Sequence, residues 1–228
     1  MTFEIKKNPK KIAILGSGHG WDLIPMNSDF TVYALNDYVY VERHGIIPDR
    51  LFIMDILDEK PLVVDGTSNL GDIIKRINDL GIPFVAPFKY AEIPLSEAFP
   101  LRKYVEKFGI PYFSNTISYM IAYALLEGAE EIEIFGVNQR SSSEYFYEKA
   151  GVEYTLGLAV GAGVKVTVHG DKSELLTNKA RFGGSILYGY NQTYEQVILG
   201  EEKFGEAIVR KLMKPSRPFS RTVRQISK

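Results

Sequence analysis

Short apolar runs alternate with segments of helical period along most of this chain, the pattern of an α/β fold on a parallel sheet. Lys11–Leu15, Thr31–Leu35, Arg50–Met54, Pro83–Ala86, Glu131–Phe135 and Val164–Val168 read as strands. The last alternates apolar and polar positions, which places it near a sheet edge. Ser68–Leu80 repeats Leu70, Ile73, Ile74, Ile77 and Leu80 at helical spacing and stops on Gly81. Thr116–Glu127 is apolar almost all round, so it predicts a helix buried against the sheet, ending at Gly128. Glu144–Val160 predicts a third helix, followed by glycines at 161 and 163.

Other stretches lack a clear period. Phe88–Pro111, with Pro87 just before it, carries prolines 94, 100 and 111 among aromatic residues. It predicts an irregular excursion around one short helix, placed to form a lid or wall. Asn178–Tyr190 is rich in Gly and Tyr, and Tyr194–Met213 predicts a final amphipathic helix. The expected organisation is one Rossmann-like, three-layer α/β domain over residues 1–213, with a mainly parallel sheet. Residues 214–228 form a basic, Pro-containing tail, expected to be loosely ordered or ordered only on a partner.

Composition narrows the function classes. A hydrophobic share of 45% supports a full core, and a net charge of -1 points to neither nucleic acid nor an acidic surface as partner. With no cysteine, thiolate metal sites, thiol nucleophiles and disulfides are excluded. The polar N-terminus lacks the apolar core of a signal peptide, and no stretch approaches the roughly twenty apolar residues of a membrane span. The expectation is a cytoplasmic protein with a small-molecule nucleotide ligand. A tail as short as that after Met213 serves solubility or a homo-oligomer contact more often than nucleic acid.

The candidate chemistry gathers at strand ends. Gly16-Ser17-Gly18-His19-Gly20 follows the first strand, where glycines let backbone N–H groups approach a phosphate. His19 reads as a phosphate contact or proton donor, or as a bystander. Asn36-Asp37 at the second strand tip reads as ribose or base recognition, or as an Asx turn opening a helix. Asp55, after the third strand, is a candidate Mg²⁺ ligand against phosphates or an N-cap, whereas Asp49 reads as structural. Ser114, Asn115 and Thr116 open the buried helix, as caps or as a second anion site. Gly136 and Asn138 complete a ring of polar strand ends. Glu144 and Glu148, at i and i+4, aim two carboxylates at one point or form a solvated acidic face, among aromatics able to stack a base or sugar.

These strings in this order resemble a known group. Gly16-Ser-Gly18, Gly45-Ile-Ile-Pro-Asp49 through Asp55, and Ser114-Asn115 through Glu131-Ile-Glu-Ile-Phe-Gly-Val-Asn138 look like the motifs of MptE-like proteins, the archaeal 6-hydroxymethylpterin pyrophosphokinases and their relatives. The layout is also similar to the family 42 sialyltransferases, with Leu35-Asn-Asp-Tyr-Val-Tyr-Val-Glu42 like their Asn-bearing helix start. Phage and bacterial polysaccharide-locus proteins resemble both, and the match spans roughly residues 11–177. The resemblance implies a Rossmann-like transferase with Gly16, Ser17 and Gly18 on phosphates, Asn36 on the nucleotide, and Gly136 and Asn138 along the ligand. Two departures stand out. No histidine occupies Phe146–Glu148, where the sialyltransferases carry a catalytic one, and Asn138 replaces the Asp usual at that strand tip.

The resulting expectation is a transferase using a nucleotide or nucleotide sugar to move a glycosyl or pyrophosphoryl group. Glu148, Glu144 and His19 are its proton-transfer candidates. The alternative is a non-catalytic protein that binds or sequesters a nucleotide.

Overall fold

Every strand of the sheet runs parallel to its neighbours. The computed structural model describes residues 10–26, 29–40, 43, 45–55, 57, 70–139 and 145–175. They all fall within one unit, Met1–Phe182. The seven strands are β1 (Lys11–Leu15), β2 (Thr31–Leu35), β3 (Arg50–Phe52), β4 (Phe84–Ala86), β5 (Ser96–Ala98), β6 (Glu131–Phe135) and β7 (Lys165–Val168). Among the described residues four α-helices accompany them: α1 (Leu70–Leu80), α2 (Leu101–Phe108), α3 (Thr116–Leu126) and α4 (Tyr145–Gly161). No described helix is long and apolar enough to cross a membrane.

The spatial order is β5-β4-β3-β2-β1-β6-β7. From β1 the chain steps outward through β5, then returns to the other side of β1 for β6 and β7. The switch point, where α/β sheets open a crevice at their carboxyl ends, therefore lies between β1 and β6. Register keeps the neighbouring strand ends level: Leu15 pairs with Phe135 on one side and Ala34 on the other, and Leu35 pairs with Phe52. The turns after β1, β2, β3 and β6 consequently emerge side by side.

Strand alternation builds the two cores. Ile12, Ile14, Tyr33, Phe52, Val85, Ile132 and Ile134 face one side, where they pack with buried residues of α2, α3 and α4. Ala34, Leu51, Ile53, Phe84 and Ala86 face the other and meet Ile73 and Ile77 of α1. A smaller group around Ala13, Leu15, Val32 and Phe135 continues that face. These three layers are the expected sandwich. α3 buries most of its residues, which is why it shows no polar face.

Two expectations change. Phe88–Pro111 holds a regular strand, β5, paired in parallel with β4, as well as the short helix α2. None of its residues lines the cleft described below, so it forms neither lid nor wall there. The predicted features over residues 178–228 lie outside the described residues.

At the amino ends of the strands, away from the cleft, a charged network ties the layers together. Lys10 bonds Glu127 at 2.6 Å, and the hydroxyl of buried Tyr33 donates to the same carboxylate at 2.8 Å. Arg50 donates to the Tyr123 hydroxyl at 2.8 Å, lies 3.6 Å from Glu127 and pairs with Glu97 of β5. Burial pushes the Tyr33 hydroxyl far up, and its bond to Glu127 adds to the shift.

Candidate functional site

At the switch point, two glycine turns interlock. The N–H of Gly16 donates to the Phe135 carbonyl and that of Gly18 to the Gly136 carbonyl, both at 2.7 Å. A Cβ on Gly16 would lie 2.4 Å from the Gly136 oxygen, and one on Gly18 2.7 Å from the same atom. These glycines therefore permit the close approach of two backbone turns, with two loop donors already engaged. Ser17 between them is exposed, and all three residues line the adjoining cleft.

Asn138 locks the same junction. With its amide turned so that both ends are satisfied, it accepts from the His19 N–H at 2.9 Å and donates to the His19 carbonyl at 3.2 Å. An aspartate here would lack the second bond, which gives the Asn a structural reason.

The cleft has a volume of about 700 Å³ and is lined by the ends of β1, β2, β3 and β6, the start of α3 and Glu148 of α4. At the β2 end, Asn36 Oδ1 accepts the N–H of the next residue, Asp37, at 3.0 Å, and the short 3₁₀ segment Asn36–Val39 opens without a side-chain cap, so no Asx turn forms there. Its Nδ2 reaches Asp55 at 3.5 Å, and both side chains still line the cleft. Asp37 is held at 2.6 Å by Arg43, whose side chain is only 4% exposed and stacks over Trp21 at 5.1 Å. Burial raises the Asp37 carboxyl above its ordinary value, against the pull of Arg43 and of a hydrogen bond with Ser17. Ser17 is thereby tied to the β2 end.

Opposite stands the start of α3. Asn115 caps the helix in a reciprocal box with Ser118, accepting the Ser118 N–H at 3.1 Å. Its Nδ2 donates to Glu148 Oε2, also at 3.1 Å, and Ser114 Oγ donates to the Glu148 backbone carbonyl. The cap thus fixes a carboxylate at the cleft wall.

The cleft brings together Gly16, Ser17, Gly18, Asn36, Asp37, Asp55, Asn115, Thr116, Gly136, Asn138 and Glu148. His19 does not line it: its ring is 62% exposed and lies 3.6 Å from Asp171. Glu144 lies outside the described residues. Asp49 accepts the Val32 N–H at 2.7 Å, a structural bond that extends the pairing of β2 and β3. Among the described residues no three or more ligating side chains gather into a metal site.

With this geometry in place, comparison with known proteins gives the following. No protein-family model and no curated protein matches the chain. Among solved structures, the sialyltransferase CstII from Campylobacter jejuni in complex with the substrate analogue cytidine-5'-monophosphate is similar over 73% of this chain and 82% of that one. The identity is 15% and the TM-score 0.46. The sialyltransferase CST-II in complex with trisaccharide acceptor and CMP is similar over 86% of this chain and 99% of that one, at 14% identity and a TM-score of 0.48. The likeness is one of layout.

Sequence reasoning missed several lining residues. Phe113, Ile117 and Tyr119 supply an apolar wall, and in a string this apolar they read as core because they also pack against it. Arg43, buried beneath Asp37, carries no signal in a string that reads as a polar loop. Gln139 also lines the cleft, one residue beyond the strand end that was singled out.

Proposed function

We propose that the cleft binds a nucleotide-linked donor and that the protein is a glycosyl-transferring enzyme, with Glu148 as the proton acceptor. The observation that carries this reading is Glu148 itself: a carboxylate held by Asn115 on the wall of a cleft at the sheet's switch point. There it would take the proton of an acceptor hydroxyl as that oxygen attacks the anomeric carbon. The bond to the phosphate oxygen breaks, and the nucleotide leaves with the electron pair. With the Ser17 hydroxyl engaged by Asp37, its backbone N–H and the start of α3 are the donors offered to the phosphate, and Asn36 and Asp55 are suited to ribose hydroxyls.

Charge favours glycosyl over pyrophosphoryl transfer. Among the described residues lining the cleft are three carboxylates, Asp37, Asp55 and Glu148, and no cationic side chain. Arg43 offsets only Asp37, so a polyphosphate would meet a negative field, whereas sugar hydroxyls would find acceptors. Magnesium enters this reading as an ion carried on the ligand's phosphates, with Asp55 at the β3 end as its candidate carboxylate.

The test is a thermal-shift screen of nucleoside phosphates and nucleotide sugars, with and without Mg²⁺, followed by detection of the released nucleotide. Glu148→Gln is expected to bind the nucleotide within a few-fold of the parent and to lose about 10²- to 10⁴-fold in turnover. A ligand that binds without turnover would instead identify a sequestering protein. No shift with any nucleotide would remove the cleft reading.

A further inference from the structure

We propose that Gln139 is a ligand-contact residue that determines specificity: its Oε1 accepts a hydrogen bond from a neutral N–H or O–H of the bound nucleotide ligand. This rests on the nucleotide reading of the cleft and goes beyond it, since it names the group that the site selects.

Three independent features single out Gln139. It lines the cleft, at the end of β6 beside the interlocked glycine turns. It is buried, with only 6% of its surface exposed, and its Oε1, itself closed to solvent, has no hydrogen-bond partner among the described residues, so a turn of the side chain is what brings this oxygen to a ligand in the cleft. A buried amide oxygen without a partner costs about 1–3 kcal/mol unless something supplies a donor. Its backbone is also strained: φ is 46°, the one positive value among the described non-glycine residues. The preceding residue explains how such a conformation is held. Asn138 is fixed to the His19 backbone through its side chain, and its carbonyl accepts the Glu174 N–H at 2.8 Å. The chain therefore leaves Asn138 in a set direction, which turns Gln139 into the cleft wall. Strain and an unsatisfied acceptor at one residue are what a site keeps when a ligand supplies the missing partner.

The nearby lining residues indicate the kind of donor. Glu148 and Asp55 supply further acceptors, and no described lining side chain is cationic. An acceptor in such surroundings selects a neutral donor, either the exocyclic amine of a base or a hydroxyl of a sugar. It disfavours a ligand that presents a carbonyl or a phosphate oxygen at the same point, because two acceptors then face each other.

Calorimetric titration of the full chain tests this. The probes are CMP, UMP, AMP and GMP, together with CMP- and UDP-linked sugars, against the parent, Gln139→Met and Gln139→Asn. Met keeps the length of the side chain and removes the acceptor, whereas Asn tolerates the left-handed backbone and withdraws the acceptor, so the two test the same bond by separate routes. The expected result is about tenfold weaker binding of the tightest probe in both variants, with a melting temperature in the absence of ligand no lower than that of the parent. A base amine as source shows the loss with a nucleoside monophosphate alone, and only with an amine-bearing base. A sugar hydroxyl shows it only with the nucleotide sugars. Equal affinity of parent and variants for every probe that binds overturns the role of Gln139 and leaves the nucleotide reading standing. If no probe binds the parent, the nucleotide reading falls and this inference with it.

Discussion

Asn138 grips the backbone of His19 at both its N–H and its carbonyl, and so joins the turn after β6 to the turn after β1. The amide at this strand end is therefore a clasp. It is what an Asp cannot replace: one group that accepts and donates at once.

Replacing that amide by a carboxylate is the direct check. Asn138→Asp keeps the bond from the His19 N–H but sets a charged oxygen against the His19 carbonyl. A destabilisation of about 1–3 kcal/mol at neutral pH is expected from urea unfolding. The neutral acid can donate again, so the loss should shrink as the pH is lowered enough to protonate the introduced carboxyl. A loss that is the same at both ends of the range would count against the clasp.

The interlocked turns predict a hierarchy among glycines. A Cβ on Gly16 or Gly18 meets backbone oxygen at 2.4 or 2.7 Å, whereas at Gly81 no atom lies within 4 Å of the added Cβ. Gly16→Ala and Gly18→Ala are expected to cost about 1–3 kcal/mol through overpacking that backbone cannot relieve. Gly81→Ala carries only the left-handed penalty of about 1–2 kcal/mol set by its φ of 64°. If urea midpoints show Gly16→Ala to be harmless, the loop is not held as described.

Much of this architecture was legible in the chain, and the gaps have physical causes. β1 and β2 were readable to the residue because buried parallel strands are near-continuous apolar runs bounded by turn residues, and β6, with Glu133 between Ile132 and Ile134, by its alternation and the glycine that follows it. β5 was not. Ser96-Glu-Ala98 has no apolar alternation, and it is a strand because β4 offers a free edge and Ser96 Oγ bonds both ends of the Tyr90 backbone unit at 2.9 Å. The cleft was anticipated because polar residues at level strand ends must meet. Arg43 and Gln139 escaped, since burial of a polar residue is decided by tertiary contacts that no local pattern announces. His19 follows the glycine turn in sequence, but its ring does not line the cleft, because adjacency along the chain does not set where a side chain faces.

Two carboxyl groups should give stability opposite pH slopes. Burial acts to raise Glu127, but the bonds from Lys10 and Tyr33 and the nearby Arg50 outweigh it and hold the group below its ordinary 4.5. Its contribution is fully present above that value and is lost as the pH falls through the lower, folded value. Asp37 is raised above 3.8, chiefly by burial. Its neutral form is the favoured one when folded, so that contribution is present below 3.8 and is lost as the pH rises through the folded value. Unfolding free energies across the acid range should therefore lose their low-pH decline in Glu127→Gln. They should lose the opposing slope in Asp37→Asn. An unchanged profile for Asp37→Asn would contradict its burial-driven shift.

The cap of α3 and the candidate base share one side chain, which allows their roles to be separated. Asn115 Oδ1 serves the helix through Ser118, and Nδ2 serves Glu148. Asn115→Ala removes both functions and is expected to cost about 0.5–2 kcal/mol in stability as well as activity. Asn115→Asp keeps the capping acceptor, so its stability should stay within about 0.5 kcal/mol of the parent. It places a second carboxylate against Glu148, however, and like charges disfavour ionisation of the pair. A base must be ionised to accept a proton, so the acid limb of the pH–rate profile should move to higher pH in Asn115→Asp. The same limb should vanish in Glu148→Gln. A profile that stays in place while turnover merely falls would assign Asn115 to the helix alone and remove Glu148 as the proton acceptor.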